Sequence, residues 1–275
     1  MTRFVVVPQW QGSGAPRAML LQGGAQAIAG DLPRSASAFV DVPLEAGEEQ
    51  GTGIHRFSTL PRIQRLVIEA LEHENGPEPT IVVGGDCSVS VGPIGVVARR
   101  HPGLAVVWFD AHGDLNTPAS SVSGAFHGMP LRAVLGDGHP ELTLEPGLVT
   151  PDRVVHAGGR DFDDAEVEFL GGSGIRVVSS DELAQPDAIA EAVRATGAEH
   201  VYVHVDLDVL DPAAITGVSY PVPFGPSAAE LVAAIKAVRA TATLVGATVA
   251  EFAPASADAA VDDLGTILRV VGALA

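Results

Sequence analysis

An α/β domain built on a mainly parallel sheet with helices on both faces is the fold that this chain of 275 residues predicts. Three observations predict it. The strand-like segments are continuous apolar runs rather than alternating ones, as befits strands buried on both faces. Helical patterns stand between successive runs, the rhythm of βαβ units. Each polar cluster with chemical potential follows an apolar run, at the carboxyl edge where open α/β sheets bind ligands. The length suits one undivided domain, residues 1–275, with a large core.

In chain order, Phe4 to Val7 is a first buried strand closed by Pro8, and Gln9 to Gly14 is a polar loop in which Trp10 reads as an apolar anchor. Ala15 to Ala29 reads as a helix, Ser37 to Val42 as a second strand and Pro43 to Gly53 as an acidic loop. Phe57 to Glu74 is strongly helical, with Leu60, Ile63, Leu66, Val67, Ala70 and Leu71 on one face. Thr80 to Val83 is a strand that runs into Gly84-Gly85-Asp86-Cys87-Ser88, and a helix follows through Val97. Leu104 to Phe109 is a strand, and Phe126 to Leu135 is helical. Arg153 to His156 and Ile175 to Val178 are strands, and Asp187 to Ala195 is a helix with Pro186 at its start. The strand Val201 to Val205 opens into a proline-rich loop that reaches Pro226. A helix over Ala228 to Arg239, a strand over Thr243 to Ala250 and a helix over Asp262 to Val271 complete the chain.

With 34 acidic against 16 basic residues the formal charge is -18, which repels phosphate backbones and anionic lipid and argues against nucleic-acid and membrane partners. Gathered carboxylates become tolerable when divalent cations sit between them. A generally acidic surface is the plainer alternative. Cys87 is the single cysteine, so an internal disulfide is excluded and nothing points to an oxidising compartment. The opening apolar run is too short for a signal peptide and no window approaches a membrane span. A soluble, cytoplasmic protein is expected.

The stretch Asp110-Ala111-His112-Gly113-Asp114-Leu115-Asn116-Thr117-Pro118 carries three potential metal ligands at i, i+2 and i+4, which an extended backbone would point to one face. Asp206 and Asp208 repeat the spacing after Val201 to Val205. The two sets meet only if their strands run side by side. Four carboxylates and one imidazole form a hard donor set that suits Mn2+, and their charge calls for two cations. Bridging carboxylates would hold such a pair about 3.5–4 Å apart around an acidified water, so hydrolysis is the expected chemistry. Any one of these aspartates alone would read as a helix cap or a solvated turn; the pattern carries the inference.

The motifs G-G-D-C-S at 84–88, D-A-H-G-D-L-N-T-P at 110–118, H-V-D-L-D-V-L-D-P at 204–212 and E-F-A-P at 251–254 resemble those of the ureohydrolases, the family of arginase and agmatinase. The resemblance runs from about Val82 to Pro254 and is weak over the first eighty residues. It implies a three-layer α/β/α sandwich around an eight-stranded sheet and a dinuclear manganese centre whose hydroxide attacks a guanidinium carbon and releases urea. It implies that Asp110 and Asp206 bridge the metals, that His112 and Asp208 complete one of them, and that Asp114 binds the other and passes a proton to the leaving amine. Glu251 would hold the guanidinium and His127 would shuttle protons at the mouth of the site. Asn116 and Ser123 fall where arginases meet the α-carboxylate of arginine, and Asp163 where they meet its α-amino group. Arginine is therefore the preferred guanidino substrate. Relatives are usually trimers or hexamers, so a homo-oligomer is expected.

The pattern departs from the family at Cys87, where the resemblance implies a histidine ligand. A thiolate favours Zn2+ or Fe2+ and a protonated thiol hardly ligates, so one metal site is expected to be altered or weakly filled. His204 stands where the family usually has serine. It is either a substitute nitrogen ligand, a partner of a metal-bound carboxylate, or a buried histidine bonded to backbone, the last being the plainest reading. The loop Ile215 to Pro226 also departs, with Thr216-Gly217-Val218-Ser219-Tyr220-Pro221 in place of a T-G-T-P-type sequence. Hydrolysis of arginine leads the readings. Agmatine, formiminoglutamate or another guanidino or formimino compound comes second, and a metal-depleted pseudoenzyme that binds without turnover is the alternative from a different class.

Overall fold

The computed structural model describes residues 2–73 and 79–275. Eight strands form one sheet: β1 (Arg3–Val7), β2 (Ser37–Phe39), β3 (Thr80–Gly84), β4 (Ala105–Phe109), β5 (Val154–Ala157), β6 (Arg176–Val178), β7 (His200–Asp206) and β8 (Thr243–Ala250). Their spatial order is β2-β1-β3-β8-β7-β4-β5-β6 and every pairing is parallel. The helices are α1 (Leu20–Gly30), α2 (Leu60–His73), α3 (Val91–Arg100), α4 (Pro130–Val134), α5 (Asp164–Ser173), α6 (Pro186–Ala195), α7 (Ala228–Thr241) and α8 (Ala257–Leu274).

The strands are apolar throughout because both their faces are covered. Phe4 and Val6 of β1 belong to the core layer that also takes in α1, α6, α7 and α8 on one side, and Val5 and Val7 belong to the cluster with α2 and α3 on the other. Trp108, facing α3 and α4, and Phe109, facing the opposite layer, repeat that alternation in β4. Val5, Val6 and Val7 are fully buried, and each such valine contributes roughly 1.5 kcal/mol or more of transfer free energy. The three-layer α/β/α sandwich around eight strands is therefore the observed architecture.

Element boundaries differ from expectation where local chemistry intervenes. α1 starts at Leu20 rather than Ala15, because the residues before it close i to i+3 turns, such as Ala18 N–H to the Ala15 carbonyl and Leu20 N–H to the Arg17 carbonyl. β2 is an edge strand of three residues, not six. Residues 57–59 are a 3-10 turn leading into α2, and Glu74, the expected end of that helix, lies outside the described residues. Over 126–135 the chain makes a 3-10 turn (Phe126–Gly128) and then the short α4, which begins on Pro130. α8 is longer at both ends than expected, its first turn capped by the Ser256 hydroxyl. α5 was not anticipated; its signal is the capping box Asp163-x-x-Glu166.

The four central strands β3, β8, β7 and β4 are consecutive in the sheet. They end in the four segments singled out from the sequence, 85–88, 251–254, 206–212 and 110–118, so those segments share one carboxyl edge. Phe109 pairs with Val205 and Asp206 with Ala250, which sets Asp110 and Asp206 side by side at the strand ends.

Candidate metal centre

One local device is repeated at three strand exits. The Asp86 side chain accepts from the Ser88 amide (3.1 Å), Asp110 from the His112 amide (2.7 Å) and Asp206 from the Asp208 amide (2.7 Å). Each is an Asx turn, which aspartate favours because its short carboxylate reaches the amide two residues on. The turn, not an extended backbone, makes the i and i+2 side chains converge: β4 ends at Phe109, and Asp208 lies in a 3-10 turn (Leu207–Val209) beyond β7. Asp86 is spent on this scaffold, since it also accepts from Gln9 Nε2 (3.1 Å) and the Gly12 amide (3.0 Å). That packing needs glycine at 85, where a Cβ would overlap the Gln9 carbonyl oxygen.

Around these turns the titratable groups form two linked clusters. In one, His112 Nδ1 stands 3.1 Å from Asp208 Oδ2 and 3.5 Å from Asp110 Oδ1. Burial alone would lower the His112 pKa, but pairing with Asp110 and Asp208 outweighs it and raises it. Burial would likewise raise Asp110, yet the His112 pairing holds its carboxyl far below the ordinary range. Asp110 Oδ2 also accepts from Trp108 Nε1 at 3.0 Å. In the other cluster, Cys87 Sγ donates to Asp206 Oδ2 (3.0 Å) and faces His204 Nε2 (3.4 Å). Burial and the neighbouring Asp206 push the thiol well up, and burial with Asp208 and Asp110 raises Asp206 in turn. His204 is neutral, lowered to about 3 by burial. Its ring nitrogens face the side chains of Ser90 and Cys87, contrary to the backbone-bonded histidine that was the plainest expectation.

Two residues of the edge have left-handed backbones, Asp114 (φ 54°) and Glu251 (φ 67°), a conformation that costs a non-glycine residue roughly 1–3 kcal/mol. They also hold buried carboxylate oxygens, Asp114 Oδ2 and Glu251 Oε2, with no hydrogen-bond partner among the described residues. The other oxygen of Glu251 accepts from the Cys87 amide (3.1 Å) and lies 3.4 Å from His127 Nδ1. Burial pushes Asp114 well up and raises Glu251. For His127, burial lowers the pKa but the bond to Glu251 raises it more.

A cavity of about 340 Å³ opens on this edge. Its wall includes His112, Asp114, Asp206 and Asp208 and, from the same list of expected residues, Asn116, Ser123, His127 and Asp163. Asn116 Nδ2 donates to Asp163 Oδ2 at 2.7 Å, which joins two of them directly. Cys87, Asp110, His204 and Glu251 are not on that wall; they lie behind it, nearly without solvent exposure. Residues 20–267 match the Arginase family.

The chain belongs to that family. It is 36% identical over 198 residues to the arginase of Bacillus caldovelox, a stretch that covers 66% of this chain and 65% of that protein, just under two thirds of its length. It is 35% identical over 217 residues to the N(omega)-hydroxy-L-arginine amidinohydrolase of Streptomyces lavendulae, covering 78% of this chain and 74% of that one. The solved structure of the Bacillus caldovelox arginase superimposes with a TM-score of 0.84 at 26% identity, covering 98% of each chain.

The donors of this arginase-family chain fit a pair of cations. Ligand atoms of Asp110, His112 and Asp208 lie within 4.8 Å of one another, as do those of Cys87, Asp206 and Glu251, and those of Cys87, Asp110 and His204. Five buried carboxylates (Asp110, Asp114, Asp206, Asp208 and Glu251), two of them with an unpartnered oxygen, are more negative charge than His112 and His127 offset. The first cluster is a hard oxygen–nitrogen set; the second adds sulfur. Residues not picked out from the sequence also border the cavity. Glu166 accepts from the Leu115 amide at 2.9 Å and so braces the loop that carries Asp114, and the Tyr220 ring lies 5.2 Å from that of His127. The capping-box spacing signals Glu166; for Tyr220 the sequence shows only a departure from the family loop.

Proposed function

We propose that this protein hydrolyses the guanidino group of L-arginine to give L-ornithine and urea. One observation carries the reading. A single cavity joins the carboxylates of the cation cluster, Asp114, Asp206 and Asp208, to the polar trio Asn116, Ser123 and Asp163. The first set suits the reacting carbon and the second suits the amino-acid end of the substrate.

Two divalent cations, held by Asp110, His112, Asp206 and Asp208 on one side and by Asp110, Asp114, Asp206 and Cys87 on the other, would supply an acidified water and charge stabilisation. Manganese suits the first position. Glu251, just behind the cavity wall and with a buried Oε2 that has no hydrogen-bond partner among the described residues, would pair with the guanidinium and fix its plane by charge-assisted bonds. His127, 3.4 Å from the other oxygen of Glu251, is released as the guanidinium takes that carboxylate and is then free to exchange a proton with the cavity. Asp114 would take up the proton that the attacking water gives up and pass it to the leaving nitrogen as the C–N bond breaks. Asn116 and Ser123 bind the α-carboxylate and Asp163 the α-amino group.

N(omega)-hydroxy-L-arginine is a second reading, favoured by the Streptomyces lavendulae relative that matches 78% of this chain; it would use the same carboxylate and amino anchors. The test is urea and hydroxyurea release from arginine, its N-hydroxy derivative, agmatine and formiminoglutamate, with Mn2+, Zn2+, Fe2+ or Co2+ supplied. Agmatine leaves the carboxylate donors without a partner, at about 1–3 kcal/mol, and should be turned over roughly tenfold or more worse than arginine. Equal turnover of agmatine refutes the role of Asn116 and Ser123. No release from any compound with any metal, together with release by Cys87→His, establishes the binding-only reading instead.

A further inference from the structure

His204 has no part in the steps above, yet its side chain is held on two sides. It is fully buried, its ring lies on Trp108 at 3.6 Å with 18° between the planes, and its Nδ1 is 2.7 Å from Ser90 Oγ. A ring gripped by its face and its outer nitrogen has one direction left for Nε2, and that direction is Cys87 Sγ at 3.4 Å. A hydrogen bond to the far nitrogen is what fixes the tautomer and aim of a metal-bound imidazole.

Spacing agrees with this role. Sulfur–metal and nitrogen–metal bonds of about 2.3 Å and about 2.0–2.1 Å place the two donors about 3.5 Å apart across a tetrahedron. Cys87 Sγ, His204 Nε2 and an Asp110 carboxylate oxygen lie within 4.8 Å of one another. A second observation points the same way: Asp114 Oδ2 is buried in this edge with no hydrogen-bond partner among the described residues, as expected of an atom whose partner is not protein.

We propose that the Cys87 thiolate and His204 Nε2 form a sulfur–nitrogen ligand pair for one cation of the centre, with Asp110 supplying oxygen. This position therefore takes a thiophilic ion, zinc or ferrous iron, in preference to manganese. The proposal rests on the two-cation reading of the site. As the sulfur–cation bond forms the thiol loses its proton to solvent, and no oxidant or reductant is involved. The neighbouring carboxylates oppose a free thiolate, so sulfur ligates only when the cation arrives with it.

Cobalt is the probe, titrated into the full-length protein after chelation of endogenous metal. A thiolate-to-cobalt charge-transfer absorption in the near ultraviolet should saturate at one equivalent. Stoichiometric Zn2+ should erase it, and an excess of Mn2+ of about 100-fold should not. Cys87→Ser should abolish the absorption. His204→Asn should weaken cobalt binding at that position by roughly tenfold or more, and Ser90→Ala by about 10–100-fold with the absorption retained. Cobalt bound without the absorption, or an absorption that survives Cys87→Ser, overturns the sulfur ligand; undiminished affinity in His204→Asn overturns the nitrogen. Should the variants not fold, zinc-edge X-ray absorption on the unmodified protein decides, since one sulfur at about 2.3 Å supports the pair and a shell of nitrogen and oxygen alone overturns it. Two cations bound without sulfur leave the hydrolytic reading standing and sink this proposal, whereas a protein that binds no divalent cation sinks both.

Discussion

The two halves of the centre share Asp110 and differ in how the protein satisfies them by itself. Around His112 the carboxylates are partnered: the imidazole ring sits between Asp110 and Asp208, and Trp108 and the backbone supply further bonds. Asp208 is the partial exception, raised by burial and by Asp110 although the His112 pairing counteracts both. Around Cys87 the protein leaves more undone. Asp206 and the thiol are raised, Asp114 has an oxygen with no hydrogen-bond partner among the described residues, and its backbone is held in a left-handed conformation. One half has a histidine between its carboxylates, while the other has buried acidic groups without such a partner, where a bound cation would take its place.

Removing the histidine should therefore cost most. In metal-free protein His112→Ala leaves two buried carboxylates unpaired, and breaking a pair of that kind costs about 3–5 kcal/mol. Urea unfolding measures it, and a loss under about 1 kcal/mol would mean that the first half is not self-neutralised. Next comes metal removal. Chelation should destabilise the wild-type protein by about 2.7 kcal/mol for each cation that had been held at a hundredfold excess over its dissociation constant. At roughly 2–4 °C per kcal/mol for a chain of this size the shift is easily read calorimetrically. An unmoved melting temperature would show that neither half engages a cation.

Asp114→Asn probes the second half with the opposite sign. Asparagine tolerates the left-handed backbone at 114 as well as aspartate does, so the fold is kept while the repulsion with Asp110 goes. Without metal the variant should be about 1 kcal/mol more stable than wild type. With metal it should lose turnover by about 10²–10⁴, the usual worth of a general acid. A variant both less stable and still active would place Asp114 among structural caps.

Much of this was legible beforehand because strand burial and turn chemistry are written locally. Continuous runs such as Ala105–Phe109 announce strands covered on both faces, and aspartates after two of them announce ligands. What was not legible depends on register and on distant partners. The convergence of Asp110 with His112 comes from an Asx turn and that of Asp114 from a positive φ, neither visible in the spacing alone. His204 finds Ser90 and Cys87 across more than a hundred residues, because only β8 stands between β7 and β3 in the sheet. α5 was hidden because its apolar periodicity is weak, with Gly171 and Gly172 in its last turn; only the capping box marks its start.

The smallest effect isolates what burial does to a carboxylate. Glu166 and Glu230 are both the third helical residue of a capping box, in α5 and α7. Burial raises Glu166, whereas the Ser227 hydroxyl and amide, both 2.7 Å away, lower Glu230 at the surface. A carboxyl whose folded pKa lies below its unfolded value stabilises fully above the unfolded pKa and loses that contribution as pH falls through the folded one. Glu230→Gln should therefore cost no more than about 0.5–1 kcal/mol at neutral pH, reduced by solvent screening, and the difference from wild type should shrink below about pH 4. Urea midpoints between pH 3 and 7, read as roughly this range of carboxylate titration, test the sign. A difference that grew on acidification would mean that the Ser227 bonds favour the protonated acid, and the contrast with Glu166 would then not be one of burial.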